Sequence, residues 1–309
     1  MRTLAPIVVF VYNRPWHTQQ TLEALAKNVL ADQSLLYIVS DGIKLDSTLE
    51  EVQKIQEVRS LICTQKWCKE VVVIELTENL GVDKNIVQHV TSFVNKHDKL
   101  IVLEDDIVTS EGFLTYMNSA LEIYKNEDQI FGISAYMFPV KKKMPEIFFL
   151  MGGNNPWGWA TWKHAWTNFN PDYNQLYDSI ANNKDRILRF NHGGSADYLS
   201  MLKNCTEANA PWDIRWYASV FLRNGYGLWA GSSMVQNIGH DGTGAHGDLS
   251  KKYHIRRLNP HTKVDKQTIV QNEEAYKALL DFYHSFGQQS ILRRIINKIK
   301  RLFLSRENT

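Results

Sequence analysis

The segment Leu100 to Ile107 (Leu-Ile-Val-Leu-Glu-Asp-Asp-Ile) constrains this chain most: four apolar residues run straight into three consecutive carboxylates. An uninterrupted apolar run with polar flanks reads as a strand buried on both faces, as in a parallel sheet covered by helices. Glu104, Asp105 and Asp106 then stand where that strand leaves the sheet, the edge at which open α/β sheets bind ligands. Adjacent carboxylates repel one another, and a divalent cation relieves the repulsion. An all-oxygen set suits Mn²⁺ or Mg²⁺ better than zinc. The competing reading is a solvated acidic turn.

The sequence before this segment alternates in period. Pro6 to Tyr12 is an apolar strand, and Pro15 to Val29 has helical spacing through Leu22, Leu25 and Val29, with Pro15 suited to a first helical turn. Leu35 to Ser40 reads as a second strand, closed by Asp41-Gly42. Leu49 to Ile62 is again helical in spacing. Val71 to Leu76 is a third strand, followed by Asn79-Leu-Gly81 and a helix from about Val82 to Val94. Repeated β-α units imply right-handed crossovers and a parallel sheet with helices on both faces.

Length and charge limit the function classes. The 309 residues suffice for a substantial core, and a net charge of +2 gives no overall pull toward nucleic acid. Met1 leads straight into strand-like sequence without a signal-peptide pattern, and no apolar run reaches membrane-spanning length. Cys63, Cys68 and Cys205 lack the companions of a metal site and read as buried or incidental thiols. A cytoplasmic protein is expected.

The second half changes character. Gly152 to Trp162, Ala210 to Trp216 and Gly239 to Gly247 are crowded with Trp, Gly, Asn and His, and five of the nine tryptophans fall in the first two runs. Aromatic faces beside amides and carboxylates suit sugar rings, which pair apolar C–H faces with hydroxyl rims. Trp162 and Trp166, at i, i+4 spacing, read equally well as core. Near the C-terminus, Ser290 to Leu304 sets Ile291, Leu292, Ile295, Ile296, Ile299, Leu302 and Phe303 on one stripe with Arg and Lys around it. That pattern fits an interfacial helix on an anionic membrane, or a helix docked on its own domain. Lipid binding there would make the protein peripheral on the inner membrane face.

The order strand–Tyr-Asn-Arg-Pro15, strand–Ser-Asp-Gly42, strand–Glu-Asp-Asp106, a Trp-rich segment and a later helical Asp resembles the GT-A nucleotide-sugar glycosyltransferases. The likeness is to the inverting branch of the N-acetylglucosaminyltransferase that initiates complex N-glycans and to bacterial family 2-like sugar transferases. It covers roughly residues 5 to 247. The resemblance implies an α/β, Rossmann-like, mostly parallel sheet with a mixed acceptor-side half and a C-terminal amphipathic helix. Residues 1–250 would be the transferase domain (1–108 nucleotide-binding, 109–250 acceptor and catalytic) and 251–309 a helical tail.

Carried over by position, the resemblance makes Asp106 the ligand of Mn²⁺ or Mg²⁺, with the cation bridging it to the donor's diphosphate. Asp105 would lie against the ribose and Glu104 near the sugar. Arg14 would approach the base or phosphate, and Asp41 would accept the ring N–H of uracil. Asp213, at an apparent helix start running to about Arg223, would be the catalytic base that takes a proton from the acceptor hydroxyl. Gly239 to Gly247 would be a donor-covering flap, with His240 or His246 touching the diphosphate or the metal. The implied activity moves a sugar from a nucleotide-sugar, with UDP the expected nucleotide, to a glycan or lipid-linked acceptor in bacterial surface polysaccharide synthesis. A nucleotidyltransferase would want a Gly-rich loop where Tyr12-Asn-Arg-Pro15 stands, and a haloacid-dehalogenase phosphatase a nucleophilic Asp-x-Asp on the first strand. A non-catalytic carbohydrate-binding or assembly protein of the same fold is the remaining alternative.

Overall fold

A computed structural model describes residues 3–244 and 249–285. His246 and the Ser290–Leu304 stretch lie outside them. The alternating first half forms β1 (Ile7–Val11), α1 (Pro15–Ala26), β2 (Leu35–Ser40), α2 (Leu49–Ile62), β3 (Glu70–Glu75), α3 (Gly81–His97) and β4 (Lys99–Glu104). β1 pairs in parallel with β2 and β4, and β2 with β3. All five residues of β1 are buried, as are Leu100 to Leu103 of β4. A strand hidden on both faces needs cover on both faces, and each buried Leu, Ile or Val contributes roughly 1.5–3 kcal/mol to holding it there. β3 is an edge strand, and its four central residues are only half-buried.

Local chemistry sets the helix ends. Pro15 opens α1, Thr48 and Glu51 form a capping box at the start of α2, and Asp98 closes α3 in the left-handed region at φ 64°. α1 is shorter than the sequence expectation: it stops at Ala26, leaving Val29 exposed. Asn28 is diverted to tertiary contacts instead, accepting from Leu114 N at 2.9 Å and donating to Thr109 Oγ1 at 3.0 Å. β4 leaves the sheet at the carboxylates, as expected: the chain turns at Asp105-Asp106, and a separate strand, β5 (Ile107–Thr109), begins at Ile107.

The second half continues with α4 (Phe113–Ile123), β6 (Ile130–Ser134), β7 (Ile147–Met151), β8 (Trp159–Trp162), α5 (Lys163–Trp166), α6 (Tyr173–Ala181), α7 (Lys184–Phe190), α8 (Tyr198–Lys203), α9 (Trp212–Leu222), β9 (Tyr226–Ala230) and β10 (Val235–Asn237). The main sheet runs β3-β2-β1-β4-β8-β6-β9-β7 and is mostly parallel, with antiparallel joins at β4–β8, β8–β6 and β9–β7. β5 and β10 form a small antiparallel ribbon. Trp162 closes β8 and Trp166 lies in α5, so no single helix carries both. Each is about 3% exposed, and Trp166 packs on Trp159, Phe169 and Trp216. They are core. A satellite core under α6 to α9 gathers Leu176, Ile180, Phe190, Leu202, Ile214 and Phe221. Residues 273–285 are helical, and Val264, Ala275, Leu279 and Phe282 join the main core. Among the described residues no helix is long and apolar enough to cross a membrane.

Candidate active site

The parallel order brings the ends of β1 and β4 to one edge, with Phe10 level with Glu104. Arg14, three residues past β1, therefore meets the carboxylate turn. Its Nη2 donates to Asp105 Oδ1 and, at 2.7 Å, to Asp106 Oδ2, while Nε reaches Asp105 Oδ2 at 3.4 Å. One guanidinium thus holds both aspartates, with Nη2 bridging them and Nε adding a second contact to Asp105. Thr21 Oγ1 pins the turn from beneath through the Asp105 carbonyl at 2.8 Å.

The turn carries more negative charge than Arg14 neutralises. Loss of water pushes the Asp105 carboxyl up to about 6 in spite of Arg14 beside it. The Glu104 carboxyl is raised well above the ordinary range, first by desolvation and then by Asp106, Asp105 and Asp213. Burial works against the Arg14 charge, yet Asp105 and Asp106 together hold its pKa above the usual arginine value. A buried surplus of carboxylate oxygens is the donor set that Mn²⁺ or Mg²⁺ prefers. Among the described residues, however, no three ligating side chains converge on one point. A cation held by Asp106 would therefore need further oxygens from outside these side chains.

The same turn positions the flap. β5 follows Asp106 directly and pairs with β10, with Ile107 level with Asn237. Ile238 N then donates to the Asp106 carbonyl at 2.9 Å, which sets Gly239 against the Asp106 carboxylate. A Cβ at Gly239 would overlap Asp106 Oδ2 and crowd Arg14 Nη1, so only glycine lets the loop pass. His240 packs its ring against Trp157 and Tyr253, at 5.2 and 5.0 Å between centroids. Asp241 Oδ2 lies 3.0 Å from His17 Nε2, an ion-pair distance without the alignment of a full hydrogen bond. The loop after β10 is thereby tied to α1 on one side and to Trp157 and Tyr253 on the other.

Asp41 has a different setting from its neighbours. Its Oδ1 accepts from Gly42 N at 2.8 Å and Leu80 N at 2.9 Å, and its Oδ2 from Gly81 N at 2.9 Å and Asn79 Nδ2 at 3.2 Å. Four donors use the acceptor capacity of both oxygens. Asp41 ties the end of β2 to the first turn of α3, and a uracil N–H would have to displace one of these donors. Neither the turn-forming Asp-Gly reading nor the base-contact reading includes this role.

Asp213 lies in the first turn of α9 and accepts from Ile214 N at 2.8 Å. It is near enough to Glu104 to raise that carboxyl and to Tyr198 to raise that phenol. It also lines an open cleft. The cleft is walled by Trp212, Trp216, Tyr217 and Tyr198 and floored by Gly152 and Gly153. The sequence pointed to the Trp and Gly runs but not to His17, His192, Tyr198, Tyr276 or Tyr283. Tyr276 and Tyr283 do show i, i+7 spacing, a helix-face signal that could have drawn notice.

No protein-family model and no curated protein matches this chain. Among solved structures, S. aureus TarS 1–349 is similar at 15% identity, covering 47% of this chain and 41% of that one, with a TM-score of 0.30. A second S. aureus TarS chain is similar at 12% identity over 77% of this chain and 37% of that one, with a TM-score of 0.38. The galactosyltransferase LgtC, in complex with donor and acceptor sugar analogues, is similar at 7% identity over 73% of each chain, with a TM-score of 0.36. The present chain spans less than half the length of either TarS chain.

Proposed function

We propose that this chain is a metal-assisted, inverting glycosyltransferase that moves a sugar from a nucleotide-sugar, UDP-linked, to a hydroxyl of a glycan or lipid-linked acceptor. The observation that carries this reading is the placement of a carboxylate that lines an aromatic cleft, Asp213, within electrostatic reach of a separate carboxylate turn. The Arg14-bridged turn of Glu104, Asp105 and Asp106 lies on the sheet side, and Asp213 stands within electrostatic reach on α9. A single acidic turn would serve for binding alone. An added carboxylate facing an aromatic cleft serves for taking a proton.

The roles follow from position. Asp213 accepts the proton of the acceptor hydroxyl as its oxygen bonds to the anomeric carbon and the bond to the diphosphate breaks on the opposite face. Asp106 would hold a Mn²⁺ or Mg²⁺, which would supply countercharge to the leaving group. Arg14 fixes the geometry of Asp105 and Asp106, and Gly239 lets the flap lie close over them. In a site this dry, preset charges act more strongly than in water.

Transfer and hydrolysis assays across nucleotide sugars test the reading, run with Mn²⁺ and then with EDTA. The expected result is metal-dependent release of the nucleoside diphosphate, abolished in a folded Asp106→Asn variant. Pyrophosphate made from a sugar phosphate and a nucleoside triphosphate would identify a nucleotidyltransferase instead. Sugar binding with no turnover of any donor would identify a binding protein.

A further inference from the structure

The first turn of α9 carries Asp213, yet the residue that opens this helix cannot cap it. Pro211 stands at the N-cap and has no side-chain acceptor, so the first N–H groups of α9 need partners from elsewhere. Ile214 N is met by Asp213 Oδ1 itself, at 2.8 Å. The N–H of Trp212, the residue immediately before Asp213, donates at 2.7 Å to Oδ1 of Asp83, which lies 129 positions earlier in the chain. One helix is capped by the side chain of another. A carboxylate at that end also meets the positive pole of the α9 dipole.

Asp83 is itself held in place. It lies in the first turn of α3, where Asp41, at the end of β2, accepts from Leu80 N and Gly81 N, each at 2.9 Å. Hydrogen bonds and one helical turn therefore connect the end of β2, through Asp41 and Asp83, to the backbone of Trp212. Trp212 is fixed on its other side as well. Its indole stacks near-parallel on Trp159 of β8, 5.1 Å between centroids and 20° between planes, and Trp159 is 1% exposed. Arg215, one turn into α9, holds the approach to the helix by donating to the carbonyls of Ala210 at 2.6 Å and Pro211 at 3.2 Å, and it lies within electrostatic reach of Asp83. The backbone from which the Asp213 side chain starts is thus fastened to both halves of the sheet.

We propose that Asp83 is a positioning residue for Asp213: by capping α9 from α3, it sets where the base stands relative to the carboxylate turn at the end of β4. Its effect on rate rests on the glycosyltransferase reading, whereas the cap rests on the geometry alone. A cap of the ordinary kind, from within the same helix, would satisfy the N–H groups equally well. What the bond from Asp83 adds is a fixed distance between two separately folded elements. Misplacement of a reacting group by about 1 Å can cost roughly 100-fold in rate, so a cap of this kind bears on turnover beyond its share in stability.

Hydrogen–deuterium exchange and kinetics of Asp83→Ala and Asp83→Asn test this, with Thr48→Ala as a control that removes an ordinary cap from α2. In Asp83→Ala, peptides spanning residues 209–216 should exchange faster. Its kcat for Mn²⁺-dependent release of the nucleoside diphosphate should fall roughly 10–100-fold. Calorimetry should show little change in binding of that diphosphate with Mn²⁺. Asp83→Asn keeps an acceptor of the same reach and should recover both the parent exchange and most of the rate. Thr48→Ala should lower the melting temperature comparably and leave kcat as it was. If its melting curve shows Asp83→Ala unfolded, Asp83→Ser, whose hydroxyl is one bond shorter, takes its place with the same expectations. Unchanged exchange at 209–216, a parent-like kcat, or diphosphate binding that falls in step with kcat would each overturn the proposal. So would an Asp83→Asn as slow as Asp83→Ala, or a Thr48→Ala that loses as much rate. Absence of turnover in the parent, with exchange responding as expected, would overturn the transferase reading and the effect on rate with it, and would leave the cap supported.

Discussion

Replacing Arg14 with Met keeps most of the side chain's length while removing the guanidinium that Asp105 and Asp106 share. Even with Arg14 in place, the Asp105 carboxyl is held up to about 6, against an ordinary 3.8. That difference corresponds to about 3 kcal/mol of unfavourable charge burial at pH values above 6. Breaking a buried ion pair by deleting one partner costs about 3–5 kcal/mol, because the other charge is left uncompensated. The sign of the pH dependence is fixed. A carboxyl that holds its proton more tightly folded than unfolded gives up stability as pH rises through its folded value and regains it as pH falls. Thermal melts of both proteins in EDTA should therefore show Arg14→Met lower by roughly 6–12 °C at pH 8. At pH 5.5 the gap should be distinctly smaller, since Asp105 is then largely protonated in the variant. Arg14→Lys should fall between the two, because an ammonium keeps the charge but loses the second, Nε contact to Asp105. An equal deficit at both pH values, or none at pH 8, would refute the charge-balance account of this turn.

Gly239→Ala should cut donor turnover roughly 10–100-fold with little change in melting temperature, since the added methyl displaces Asp106 rather than opening the core; parent-like kinetics would mean the flap does not lie this close in solution. Asp213→Asn should lower transfer by roughly 10²–10⁴-fold while calorimetry shows unchanged nucleotide-sugar binding. Loss of donor binding would move Asp213 to the nucleotide side. Asp41→Ala should cost about 2–3 kcal/mol in denaturant unfolding, through the orphaned N–H groups at the start of α3. A loss below about 1 kcal/mol, accompanied by loss of uridine nucleotide binding, would return Asp41 to base recognition.

The parts of this fold that could be read from sequence are those whose cause is local. The bounds of β2 and α2 match expectation because each segment keeps one hydrophobic period between clear breaks. The exit of β4 at Glu104 was legible from the carboxylates that close its apolar run, but the short strand at Ile107 was not. What makes that segment a strand is pairing of β5 with β10, more than a hundred residues along the chain. Distance likewise hid the role of Asp41, which looks like a turn residue beside Gly42 until Leu80 and Gly81 bring their N–H groups to it. The Arg14–Asp105–Asp106 bridge was approached only by analogy, since the sequence shows each end but not that β1 and β4 are neighbours. Tyr276 and Tyr283 reach the aromatic cleft from a segment whose one signal is their i, i+7 spacing.

The β5–β10 ribbon decides how the covering loop can move and how it can vary. The ladder continues through the Ile238 N–H to the Asp106 carbonyl, so no slack chain separates the carboxylate turn from the first residue of the loop. A movement of this loop that keeps the ladder would pivot at Gly239 or later, with the Asp106 carbonyl still bonded to Ile238. Insertions after Gly239 could reshape what the loop covers without disturbing the carboxylates. A single residue inserted between Val235 and Ile238 would instead shift the ladder register, turn its side chains to the opposite face and carry the Asp106 turn with it. Variation in substrate range is therefore expected to concentrate on the far side of that glycine.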